Sequence, residues 1–135
     1  MKKIPVHDHT IFKIEIYFLS LYDIRNIMKE VDFQGYMILI GKNKFENALL
    51  LKTSGPKDYW IHVKDYPSGH VIIKNPNEKR IPTKVIKRAC CILKSSNNKH
   101  KYIPDLQFDI AKRENISLTN NIGEVIITKS SIIKL

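Results

Sequence analysis

The stretch Asp58-Tyr59-Trp60-Ile61-His62-Val63-Lys64-Asp65-Tyr66-Pro67-Ser68-Gly69-His70-Val71-Ile72-Ile73 decides how this chain folds. Tyr59 to Val63 and His70 to Lys74 are β-branched and aromatic runs and read as two strands. Lys64 to Gly69 between them is a hairpin connection rich in turn residues. With the two-residue period of a strand, Tyr59, Ile61 and Val63 share one face, and Asp58, Trp60 and His62 share the other. The first set is an ordinary core face. The second sets a carboxylate, the chain's only tryptophan and an imidazole in a row. Cross-strand pairing brings His70 towards His62.

Downstream, Asn75 to Pro82 reads as a loop, and Pro82 suits the first turn of a helix. Val85, Ile86, Ala89, Cys90 and Leu93 form that helix's apolar stripe, with Lys84, Lys87, Arg88 and Lys94 on its other face. Ser95 to Lys101 is a polar break. Leu106–Ile110, Ile116–Leu118, Glu124–Ile127 and Ser131–Leu135 complete a run of short strands. Upstream, Asn43 followed by Glu46 marks a helix start, and Ala48 to Lys52 continues it until Thr53-Ser54-Gly55-Pro56 breaks it. Tyr36–Ile40 is a short strand, the spacing of Leu21, Ile24, Ile27 and Met28 predicts a short helix over Leu21–Lys29, and Ile11–Leu19 reads as a further strand. Residues 1–10 form a loose arm. The expectation is one α+β domain over residues 1–135, with a mostly antiparallel sheet, a central hairpin and one main amphipathic helix plus short helices.

The chain has 135 residues, of which 43% are apolar, and a net charge of +10. That is enough chain to bury a core without disulfide or metal staples. Cys90 and Cys91 are neighbours, which makes no structural disulfide and, without a second pair, no zinc site. His7-Asp8-His9 near the start is not a metal site by spacing alone. No metal and no cofactor are expected, and no phosphate loop is present. The start lacks an apolar signal segment and no run reaches the roughly 20 apolar residues of a membrane span, so no membrane association and a cytoplasmic location are expected. The positive field attracts polyanions, the usual candidates being RNA, DNA and anionic lipid, and charge alone does not choose among them. Drift towards lysine competes as an origin of that charge, because the basic set is 19 Lys against 4 Arg in a chain that also holds 22 Ile and 10 Asn.

For the Asp58/Trp60/His62 row, three readings stand open on the residues alone. In the first, Trp60 packs under a helix and Asp58 holds a turn. In the second, the row is a nucleic-acid surface: Trp60 or Tyr66 stacks a base, His62 and His70 donate to phosphate or sugar, and lysines hold the backbone. In the third, Asp58 and His62 act as orienter and base for Ser68, with His70 nearby, in a small hydrolase or nuclease. No nucleophile elbow surrounds Ser68.

The segments Gly41-Lys42-Asn43-Lys44-Phe45-Glu46-Asn47, Asp58-Tyr59-Trp60-Ile61-His62 and Pro67-Ser68-Gly69-His70-Val71 resemble, in order and spacing, the NFACT-R domain. Gly123-Glu124-Val125 is similar to that family's terminal segment, so the likeness runs over residues 34–135. Ile61 departs from the usual aromatic. The resemblance implies an RNA-binding module of the kind found in ribosome-quality-control proteins that engage tRNA and the large ribosomal subunit, and it implies no catalytic role. It carries over Lys42, Asn43, Asn47, Asp58, Trp60, His62, Ser68 and His70. It also implies a short standalone version, without the other domains that support tailing of stalled chains. With the lysines and aromatics nearby, the expected RNA-binding set is Lys42, Asn43, Lys44, Asn47, Asp58, Trp60, His62, Lys64, Tyr66, Ser68, His70, Lys74, Lys87 and Arg88. A protein-docking adaptor in translation quality control is the remaining alternative.

Overall fold

The computed structural model describes residues 28–135. The expected 1–10 arm, His7-Asp8-His9, the Ile11–Leu19 strand and most of the Leu21–Lys29 helix lie outside the described residues. Along the described chain the order is β1 (Lys29–Phe33), β2 (Tyr36–Ile40), α1 (Lys44–Thr53), β3 (Tyr59–Val63), β4 (Val71–Ile73) and α2 (Thr83–Ser95). Then follow β5 (Gln107–Lys112), a 3-10 turn (Arg113–Asn115), β6 (Ile116–Leu118), β7 (Val125–Ile127) and β8 (Ser131–Lys134). Six strands make one sheet in the order β1-β2-β4-β3-β5-β8, while β6 and β7 form a separate hairpin. Every pairing is antiparallel. The α+β class and the central hairpin thus stand as read.

β1 corrects the sequence reading. Lys29 opens a strand where a helix was expected to be ending. The pattern Lys29-Glu30-Val31-Asp32-Phe33 alternates, and Val31 and Phe33 pack against the core. Gln34 and Gly35 join it to β2 with φ values of 52° and 85°. Both positive angles belong to the mirror-image two-residue turn that matches strand twist, and glycine takes its half of that turn without strain.

Both faces of the sheet are covered. On one, the stripe Val85, Ile86, Ala89, Cys90 and Leu93 of α2 packs on Ile38, Ile61, Val63, Val71, Ile73 and Phe108. On the other, Leu49, Leu50 and Leu51 of α1 pack with Met28 on Trp60, Ile72 and Ala111. This explains why β4 is Val-Ile-Ile without alternation: a strand buried on both faces reads as a continuous apolar run. Cys90 is buried and Cys91 exposed, and both are free thiols. Burial pushes the Cys90 thiol up to about 12, so it is an inert packing group. Among the described residues no helix is long and apolar enough to cross a membrane.

Candidate nucleic-acid interface

At the β3–β4 end of the sheet, three separate segments of chain are pinned together. Asn43 Oδ1 accepts from Phe45 N at 3.0 Å and Glu46 N at 2.9 Å, and Glu46 Oε1 accepts from Lys42 N at 2.8 Å. This reciprocal cap fixes where α1 begins. One turn on, Asn47 is buried, and its Oδ1 accepts from His70 N at 2.9 Å. Gly41 N donates to His70 O at 2.9 Å, so the His70 backbone is held from both sides. The approach needs glycine: a Cβ at Gly69 would strike the Gly41 carbonyl oxygen, and one at Gly41 would strike Asn47 Oδ1. Ser68 Oγ closes the turn, accepting from Val63 N at 3.2 Å and donating to Gly69 O at 2.9 Å. A Cβ at Gly123 would meet Lys44, so the β6–β7 connection reaches the same place.

Three aromatic rings lie behind this end. Trp60 is 0% exposed and its Nε1–H donates to His70 Nδ1 at 3.2 Å. The His62 ring lies parallel to Trp60 with centroids 5.8 Å apart, and meets His70 edge-on at 5.0 Å. His62 is half-buried; His70 is buried. The bond from Trp60 requires a free lone pair on His70 Nδ1, and burial, with His62 nearby, pushes the His70 imidazole down to about 3. Burial also lowers the pKa of His62, partly offset by the Val63 backbone and Asp109. In the unfolded chain His70 titrates near its ordinary 6.5, so between about 3 and 6.5 the unfolded state binds the extra proton. Folding free energy is therefore fully present above that window and falls as pH drops through it, by about 1.4 kcal/mol per unit. Chemical denaturation at pH 7 and pH 5 should differ by about 2 kcal/mol from His70 alone. Equal stabilities at the two values would contradict a neutral, indole-bonded His70.

The expected site residues divide into builders and surface groups. Asn47, Asp58, Trp60, Ser68 and His70 spend polar atoms inside the fold, and the exposed Asn43 spends its Oδ1 on the α1 cap. Asp58 is buried and accepts from Asn75 N at 2.7 Å and Gly55 N at 2.9 Å, and it pairs with Lys74 Nζ at 2.9 Å. Trp60 has no ring face to offer a base, so a packing role replaces the expected stacking one. Lys74 is occupied by Asp58. Lys87 and Arg88 are exposed on α2, across the sheet from α1, with Arg88 5.3 Å over the Phe33 ring. Lys42 and Lys44 at the start of α1, Lys64 and Tyr66 of the turn, and the edge of His62 remain at the β3–β4 end.

The hydrolase constellation is not assembled. Asp58 bonds to Gly55, Asn75 and Lys74 rather than to His62, whose carboxylate neighbour is Asp109. Ser68 is engaged by Val63 and Gly69. Sequence reasoning missed Phe45, 56% exposed beside Lys44, and the polar loop after α2, whose Tyr102 is 83% exposed. The signal was there: an aromatic residue among lysines where nothing needs packing.

A protein-family model described as the NFACT protein RNA binding domain matches residues 26–134. The chain belongs to that family. As an NFACT RNA-binding domain it is similar to Protein JLP2 of Saccharomyces cerevisiae, 39% identical over 67% of this chain and 47% of that protein. It is also similar to the Rqc2 homolog RqcH of Bacillus subtilis, 40% identical over 35% of this chain and 9% of RqcH. The matched part thus spans less than half of either relative. The C-terminal part of the fibronectin/fibrinogen-binding protein of Streptococcus suis shares the fold, with a TM-score of 0.68 and 22% identity over 78% of this chain and 43% of that one. Within this NFACT RNA-binding domain, Gly41–Asn47 and Ser68–His70 meet at the pinned β3–β4 end, while Asp58 lies at the opposite end of β3 beside Lys74.

Proposed function

We propose that this domain binds tRNA or rRNA at the large ribosomal subunit, as an RNA-binding module of ribosome quality control in the cytoplasm. Membership of the NFACT RNA-binding family is the observation that carries the reading, and kinship with RqcH supports its place in quality control. The exposure of the lysines at the β3–β4 end supports a surface there. Lys42, Lys44 and Lys64 reach phosphates, while Tyr66 and the edge of His62 meet bases or sugars. Asn43, Asn47, Trp60, Ser68 and His70 act indirectly, by holding α1 and the turn in register so that the lysines keep a fixed spacing, and Asp58 braces the other end of β3. A distributed phosphate-binding surface of this kind needs no cofactor.

Titration of labelled tRNA, followed by fluorescence anisotropy from low to moderate salt, tests it. Micromolar or tighter binding at low salt is expected, and the affinity should fall steeply with salt because each neutralised phosphate releases counterions. Duplex DNA under the same conditions measures how much is charge alone. Absence of micromolar tRNA binding at low salt overturns the reading.

A further inference from the structure

The connection from α2 to β5 carries Asn97-Asn98-Lys99-His100-Lys101-Tyr102. Its path is set by consecutive tight turns. His100 N and Lys101 N both donate to Asn97 O at 3.0 Å, Ile103 N donates to His100 O at 3.0 Å, and Lys99 N donates to Asn97 Oδ1 at 2.8 Å. These turns hold His100 inward, 4% exposed, and Tyr102 outward. Tyr66, on the β3–β4 turn and 47% exposed, rests against His100 with ring centroids 5.5 Å apart and planes tilted by 57°. Lys101 Nζ lies 5.7 Å from the Tyr102 centroid. Two loops from different parts of the chain thus meet at one imidazole, with the Tyr66 ring against it and the outward Tyr102 two residues further along the same loop, and with Lys64, Lys99 and Lys101 close to these rings in sequence.

Two observations say what such a patch faces. His100 Nδ1 is buried and has no hydrogen-bond partner among the described residues. An orphaned polar atom is uncommon in a native fold, and this one belongs to the imidazole against which the Tyr66 ring lies. The rings themselves are far more exposed than packing requires, and an aromatic face among lysines is the arrangement that stacks nucleobases while cations hold the flanking phosphates.

We infer that the Tyr66–His100–Tyr102 patch takes unpaired nucleotides of a single-stranded RNA segment, whose bases stack on the two tyrosine rings while Lys64, Lys99 and Lys101 neutralise the adjoining phosphates. The inference rests on the RNA-binding reading and sharpens it. In a duplex the bases are stacked on one another, so a duplex offers this patch phosphates only.

The test compares a short labelled oligouridylate with a blunt RNA duplex of equal nucleotide count, by anisotropy. The proteins are wild type, the double variant Tyr66→Ser/Tyr102→Ser, and the double variant Tyr66→Phe/Tyr102→Phe. Both tyrosines are exposed, so unchanged unfolding midpoints are expected and are checked first. The serine variant should lose about tenfold per ring on oligouridylate and keep its duplex affinity. The phenylalanine variant should retain both affinities, because stacking needs the ring and not the hydroxyl. Equal losses on the two ligands, or none on oligouridylate, would remove the patch while leaving the broader RNA-binding reading in place. Wild-type binding to duplex alone has the same meaning. Failure of wild type to bind either RNA takes both readings down together.

Discussion

Replacing Trp60 by alanine should lower the unfolding free energy by about 4 kcal/mol, the cost of a large fully buried aromatic. Nothing of the indole reaches solvent, and it fills the space beneath Leu49, Leu50 and Leu51 of α1. The substitution also leaves His70 Nδ1 buried without its donor, a further penalty of roughly 1–3 kcal/mol that relaxation or an entering water reduces. Trp60→Phe separates the two contributions: most of the packing stays, the donor goes, and a loss of about 2 kcal/mol is expected. Urea denaturation reads both. The same pair of variants distinguishes packing from contact. Protein that keeps wild-type stability after Trp60→Ala and yet loses RNA would make the indole a contact residue, and the enclosed geometry predicts the reverse.

The second large effect is on binding. The triple reversal Lys42→Glu/Lys44→Glu/Lys64→Glu should weaken tRNA binding at low salt on the order of a thousandfold, taking about tenfold for each charge-assisted phosphate contact. It should also flatten the salt dependence by about one logarithmic unit per contact removed. Lys42 and Lys44 are exposed and Lys64 is half-buried, so stability should change little. The comparison variant is Lys87→Glu/Arg88→Glu, on the outer side of α2. It changes net charge by two units per reversal, as the triple variant does, but sits across the sheet. A loss per reversed charge equal to that of the triple variant would mean that the field of the whole molecule binds RNA, and that the β3–β4 end has no special part in it.

Much of the fold was legible because local and global signals agreed. Asn43 and Glu46 announced the start of α1, and Pro82 with the Val85/Ile86/Ala89/Cys90/Leu93 stripe announced α2. Tyr59–Val63 and Ile116–Leu118 came out with the bounds expected of them. β1 was missed because Met28 completes a helical spacing and because a five-residue strand carrying Lys29, Glu30 and Asp32 has little apolar signal. The candidate site was legible as a set of positions and not as a set of roles. A two-residue period says that Trp60 and His62 share a face, but it cannot say that α1 covers it. That depends on the crossing of Leu49–Leu51 over the sheet, a tertiary fact. Nor does spacing reveal that Asp58 turns away from His62 to hold Gly55, Lys74 and Asn75. The loop around Tyr102 escaped for a different reason. Tyr66, which lies against His100 of that loop, is far away in sequence, so spacing alone does not bring the two loops together.

The strand order has a consequence for synthesis. β5 lies between β3 and β8, and β8 comes last among the described elements. While the chain is emerging, everything up to the β6–β7 hairpin can assemble, yet Gln107 to Ile110 present unpaired backbone groups until Ser131–Lys134 arrives. Leu106 and Leu135 then exchange two hydrogen bonds of 2.9 Å and seal the seam. A nascent chain stalled a few residues short of Ser131 would carry a nearly finished sheet with one open margin, which is the form most inclined to pair with a neighbour.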